Sequence, residues 1–130
     1  MKHSYRILVV DDDADYVASV SAFLEANGYT VTAARDGAEG LQLAARQHPA
    51  LVIMDVMMGE RTEGLFAVNA LRRVEGMEQT PVIVVSALYT DQPGFTVPPE
   101  EEWLAGAVFL PKPVDLSDLL ERIEGLLGPA

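Results

Sequence analysis

The stretch Leu51-Val52-Ile53-Met54-Asp55 decides how this chain is read: an unbroken apolar run that ends in one carboxylate. A strand with one face in water alternates apolar and polar residues, whereas a parallel strand covered by helices on both faces is apolar throughout. Leu51 to Met54 follow the second pattern. Asp55 is therefore expected to leave a buried sheet at its carboxyl edge, where ligands of open α/β sheets bind. Taken alone, it is better explained as the start of a turn, because aspartate is a common turn former.

Working outward towards the N-terminus, Ile7 to Val10 (ILVV) ends the same way, in Asp11, Asp12 and Asp13. Two strands that each end in acid would gather several carboxylates, whose mutual repulsion is costly unless a cation sits among them. Between the two runs, Ala14 to Asn27 reads as a helix with Val17, Val20 and Leu24 on one face, Asp13 as its N-cap and Asn27-Gly28 as a left-handed stop. Thr30 to Ala34 is a short strand, Asp36-Gly37 a turn, and Ala38 to Gln47 a helix of small residues with Leu41 and Ala45 inward. The order βαβαβ with such short connections requires parallel pairing.

Towards the C-terminus, Met57 to Glu63 is a loop, and Gly64 opens a helix with Leu65, Val68 and Leu71 inward and Arg72 and Arg73 outward, ending at Gly76. Val82 to Val85 (VIVV) is another fully apolar strand and runs into Ser86. From Ala87 to Pro99 prolines and Gly94 prevent any regular element of length. Pro99 to Ala105 suits a brief helix with acid in its first turn, and Val108 to Leu110 is a fifth strand. After Pro111-Lys112-Pro113, Asp115 to Leu127 repeats Leu116, Leu119, Leu120, Ile123, Leu126 and Leu127 at helical spacing.

At 130 residues the chain has the size of one domain, and it contains no cysteine, so neither a disulfide framework nor a thiolate metal site is available. Reducing surroundings, with the cytoplasm as the default location, are expected. A formal net charge of −11 argues against a nucleic-acid surface, which needs clustered Lys and Arg. No stretch has the length of a secretion signal or a membrane span, so a soluble protein is expected.

Chemistry-bearing residues recur at strand ends: Asp11 and Asp12, Asp55, Ser86, and Lys112 just past the fifth strand. Each has a bland counterpart, respectively an acidic cap, a turn former, a turn residue and a solvated lysine. Accident at four strand ends together is far less plausible. Hard oxygen ligands at one edge suit Mg²⁺. Asp55 would then act as a nucleophile towards a phosphoryl group, with the metal, the Lys112 ammonium and the Ser86 hydroxyl stabilising its oxygens. Asp13 reads as a cap or outer-shell group rather than a ligand.

The motifs ILVVDDD, LVIMDVMM, VIVVSA and FLPKPV, in this order over nearly the whole chain, resemble the receiver domain of two-component response regulators. The resemblance implies a flavodoxin-like, doubly wound α/β fold with a five-stranded parallel sheet of order 2-1-3-4-5, helices on both faces, and a single domain over residues 1–130. It implies Asp55 as phosphoacceptor, Asp11, Asp12 and the Met57 carbonyl as Mg²⁺ ligands with Asp55, Ser86 as switch hydroxyl, Lys112 as the conserved-type lysine, and Phe109 as the aromatic coupling phosphorylation to output. It also implies a cis Lys112-Pro113 bond.

The chain departs from the family pattern in two places. The loop from Asp55 to Gly64 is one residue longer, with Gly59 where proline is usual, and the segment between Ser86 and Lys112 is longer, with PPEEEW where a regular helix is expected. Such a change alters the output face, unless it is a tolerated surface insertion. Met57 and Leu88, two residues after the phosphoacceptor and the switch hydroxyl, cannot position a water, so slow intrinsic dephosphorylation is expected.

The expected function is a phosphorylation-controlled switch. Its donor would be a sensor histidine kinase or phosphotransfer protein, its output an unidentified docking protein, and its state a monomer or weak homodimer. No DNA-binding or catalytic output domain is expected, the alternative being a fragment of something longer. A pseudo-receiver acting as a constitutive binding or dimerisation module is the main rival. An aspartate-nucleophile phosphatase is the second, and it lacks a second acid to activate water.

Overall fold

The computed structural model describes residues 5–55, 70–86, 107–111 and 114–128. Within them lie β1 (Arg6–Val10), α1 (Ala14–Ala26), β2 (Thr30–Ala34), α2 (Gly37–Gln47), β3 (Leu51–Asp55), β4 (Val82–Ser86), β5 (Ala107–Pro111) and α3 (Leu116–Leu127). The strands form one five-stranded sheet of order β2-β1-β3-β4-β5, parallel at every pairing. The fold is thus the flavodoxin-like arrangement expected.

The apolar runs are continuous because both faces of the sheet are covered. Successive side chains of a strand point to opposite faces. Leu8, Val10, Val52, Met54, Val82 and Val84 meet Ala44 of α2 with Leu71 and Met77 on one face. Ile7, Val9, Leu51, Ile53, Ile83 and Val85 meet Val20 and Leu24 of α1 and Leu119 and Ile123 of α3 on the other.

Helix ends follow their capping chemistry. The Asp13 side chain accepts the Asp15 and Tyr16 amides at the start of α1, and that of Asp115 accepts the Ser117 and Asp118 amides at the start of α3. The left-handed residue closing α1 is Gly28 (φ 95°), not Asn27 (φ −101°). Helix α2 ends on His48 at φ 46°, a left-handed conformation that costs a non-glycine residue about 1 kcal/mol.

Two expectations need correction, at Ala45 and at Arg72. In α2 the inward stripe is Gly37, Gly40 and Ala44, with Leu41 partly buried and Ala45 exposed. On a 3.6-residue period Ala44 falls nearly over Gly37, while Ala45 turns a further ~100° away. Glycine at position 40 lets α2 lie close to the sheet, for a Cβ there would stand 2.9 Å from Val10 Cγ2. Arg72 is half-buried rather than outward: its Nη1 donates to the carbonyls of Met77 (3.2 Å) and Thr80. The Met77 carbonyl otherwise has only a long turn bond from the Thr80 amide (3.4 Å), and burial holds the guanidinium below its ordinary pKa. Leu126 shares the angular stripe of Leu119 but lies in the last turn of α3, where it is 39% exposed.

Candidate functional site

In the order β2-β1-β3-β4-β5, β1 and β3 are the neighbours from which the chain winds off in opposite directions. Crevices at such a switch point, outside the carboxyl ends of the strands, bind ligands in open α/β sheets. Val10 pairs with Met54, so the next residues, Asp11 and Asp55, leave adjacent strands side by side. The Asp11 amide donates to Ala34 O (3.0 Å), which ties the end of β1 to the end of β2.

The acids converge. One carboxylate oxygen from each of Asp11, Asp12 and Asp55 lies within 4.8 Å of the others. Asp11 is 2% exposed and Asp55 4% exposed, while Asp12 faces solvent. Oxygens on opposite sides of an octahedral Mg²⁺ stand about 4 Å apart, so the spread of these donors is close to what that ion requires. At an effective dielectric of about 20, two ionised carboxylates about 5 Å apart repel by roughly 3 kcal/mol. A divalent cation among them converts that cost into attraction. The hard-oxygen donor set and its spacing therefore fit Mg²⁺.

Asp13 is outside this trio. Its backbone N–H donates to Asp11 Oδ1 (2.9 Å), and its own Oδ1 accepts the α1 amides of Asp15 (3.1 Å) and Tyr16 (3.2 Å). The cap was readable from sequence; the amide contact with Asp11 was not.

Next to Asp55, β4 supplies Ser86. Asp55 pairs with Val85, so Ser86 is the following residue on the neighbouring strand, about 4.8 Å across the sheet. Ser86 in turn pairs with Pro111, the residue before Lys112. Phe109 pairs with Val84 inside β5. The side chains of Ser86 and Phe109, the residues Met57, Leu88, Trp103, Lys112 and Pro113, and the expected elements at Gly64 and Pro99–Ala105 lie outside the described residues.

One local device near the site was missed although its signal is in the sequence. Asp36 accepts the Glu39 amide (2.8 Å), and Glu39 Oε1 accepts the Arg35 amide (2.7 Å). This is a variant of the capping box, an N-cap acid followed three residues later by a glutamate that reaches back one residue further, to the amide before the cap. It fixes the turn that follows Ala34 and so steadies the carbonyl holding Asp11.

Comparison with known proteins agrees with this geometry. Residues 7–124 match the family described as response regulator receiver domain. The response regulator MprA of Mycobacterium ulcerans (strain Agy99) is 40% identical over 125 residues, covering 95% of this chain and 50% of that protein. The chain thus spans about half the length of the curated relatives it matches. The chemotaxis protein CheY4 of Vibrio cholerae superposes with a TM-score of 0.80 at 26% identity, covering 96% of this chain and 100% of that one. The receiver domain of the Pseudomonas aeruginosa PAO1 sensor histidine kinase PA1611 superposes with a TM-score of 0.78 at 25% identity, covering 97% and 99% of the two chains. That structure has a magnesium ion coordinated in its active site cleft.

Proposed function

The chain belongs to the response regulator receiver domain family, a family of signalling switches, and we propose that it is a phosphorylation switch with Asp55 as the acceptor. The observation that carries the reading is the convergence of the Asp11, Asp12 and Asp55 oxygens within 4.8 Å at the switch point of the sheet. Residues 1–130 act as one receiver domain.

An Asp55 carboxylate oxygen attacks the phosphorus of a phosphohistidine on a sensor histidine kinase or phosphotransfer protein. The O–P bond forms as the P–N bond breaks, and the electron pair departs on the donor imidazole. Because Asp55 is 4% exposed, it meets the donor already ordered. Asp11, Asp12, Asp55 and the Met57 carbonyl would hold Mg²⁺, which would supply neutralisation of charge on the phosphoryl oxygens. The Ser86 hydroxyl and the Lys112 ammonium stabilise the same oxygens. The register supports this assignment, since Ser86 follows the partner of Asp55 and Lys112 follows the partner of Ser86. Phosphorylated Asp55 draws in Ser86 and repositions Phe109, changing the surface that an output protein reads. Met57 and Leu88 offer no group to position water, so the phosphorylated form is long-lived.

The test is labelling with acetyl phosphate and Mg²⁺. The wild type should gain one phosphoryl group by mass and beryllofluoride should change Trp103 fluorescence; Asp55→Asn and chelated wild type should do neither. Labelling of Asp55→Asn at the wild-type rate would overturn the assignment. A wild type inert to both reagents would favour a phosphorylation-independent binding module.

A further inference from the structure

Asp13 joins two pieces of structure. Its N–H donates to Oδ1 of Asp11, a carboxylate of the acid trio that is 2% exposed. Its side chain meanwhile caps α1 through the Asp15 and Tyr16 amides, and its carbonyl accepts the Val17 amide at 3.0 Å. On the other side, the Asp11 amide is anchored on Ala34 O. An N–H orients a carboxylate only when its own peptide is held in place. At position 13 the hold on the C-terminal side is the cap.

We propose that Asp13 is a positioning residue for the cation site: by capping α1 it fixes the peptide whose N–H sets the Asp11 carboxylate. The proposal rests on the reading of the acid trio given above. It has a consequence opposite to the obvious one. A fourth acid beside three others suggests a role for its charge, but Asp13 is exposed, where charge is screened by water and salt. What counts is a side-chain acceptor, which Asn and Ser supply as well as Asp, and Ala does not. Coupling between two sites acts equally in both directions. Cation binding at Asp11 must therefore tighten the first turn of α1.

The experiment measures Mg²⁺ affinity by titration calorimetry on the full chain for wild type, Asp13→Asn, Asp13→Ser and Asp13→Ala, with amide hydrogen exchange at residues 15 and 16 with and without Mg²⁺. The Asn and Ser variants should bind within about twofold of wild type and the Ala variant about fivefold more weakly, the factor a lost cap is worth. Mg²⁺ should slow exchange at both amides in every variant except Ala. Equal weakening by Asn and Ala assigns the effect to charge and overturns the proposal, as does an Ala variant that binds like wild type. Should Asp13→Ala not fold, a fivefold loss in Asp13→Asn, or wild-type amides indifferent to Mg²⁺, overturns it equally. Failure of the trio itself would be distinct, because wild type would then bind no Mg²⁺ at all.

Discussion

The two edges of this sheet are built by opposite rules. At the carboxyl edge, three acids are brought within 4.8 Å, two of them almost fully buried. At the amino edge the described connections are sealed by their own hydrogen bonds. Thr30 N–H donates to Tyr5 O (2.9 Å), Ala50 N–H to Arg6 O (2.8 Å) and Val52 N–H to Pro81 O (3.1 Å), and Arg72 clasps the Met77 and Thr80 carbonyls. The strands and the core between are shared. One edge thus gathers acids on adjacent strands, and the other closes on hydrogen bonds. A core close-packed on both faces, with Ile7 and Val9 on one and Leu8 and Val10 on the other all at 0% exposure, lets the first edge gather charge without opening the second.

The strongest way to sharpen this contrast is Asp55→Asn. Removing one charge from the trio should raise stability in metal-free urea unfolding by about 2 to 3 kcal/mol. A loss of stability instead would mean the carboxyl edge is not strained. At the other edge, Arg72→Ala should cost about 2 kcal/mol, since the Thr80 carbonyl loses a charged donor and the Met77 carbonyl is left with the long Thr80 amide bond (3.4 Å), and it should leave Mg²⁺ affinity unchanged. Weakened Mg²⁺ binding in that variant would show the edges to be coupled.

Gly40→Ala probes the boundary. Its Cβ would press on Val10, the residue before Asp11. Overpacking of about 2 kcal/mol, set against about 1 kcal/mol gained in helix propensity, leaves a net loss of about 1 kcal/mol. Because Val10 is the base on which Asp11 stands, Mg²⁺ affinity should fall with it, and calorimetry on this variant beside Arg72→Ala tells the two edges apart.

The smallest effect belongs to Tyr29, 3% exposed, whose hydroxyl has no hydrogen-bond partner among the described residues. Tyr29→Phe should be neutral, or stabilising by less than about 1 kcal/mol, at neutral pH. Burial first, then the negative charges of Glu124 and Tyr5, push its pKa above the ordinary 10.0. The folded state then holds this proton more tightly than the unfolded chain, so this group's share of stability is present below pH 10 and is lost as pH climbs from 10 through the raised value. Urea unfolding at neutral pH and just above pH 10 should show that loss in wild type and not in the Phe variant.

Most of the fold is legible in the sequence because its signals are local. Apolar runs such as Leu51 to Met54 identify doubly covered strands, and Asp13 and Asp115 identify helix starts by the hydrogen bonds their side chains make to the next turn. The errors came where the partner is distant. Arg72 looked outward because the carbonyls it binds arrive with a loop five and eight residues later. Ala45 follows from taking Leu41 as the inward residue, one position round the helix from the Gly37, Gly40 and Ala44 stripe that is buried.

The candidate site divides the same way. Chain order alone determined that acids end two buried strands, that a serine ends a third and that a lysine follows a fifth, because strand termini are properties of short segments. That Asp11 and Asp55 stand on neighbouring strands, with Asp12 close enough to share one cation and Asp13 turned aside to hold Asp11, was decided only by the tertiary structure. Distances between residues more than forty positions apart are set by the order and register of the sheet, and no local pattern carries them.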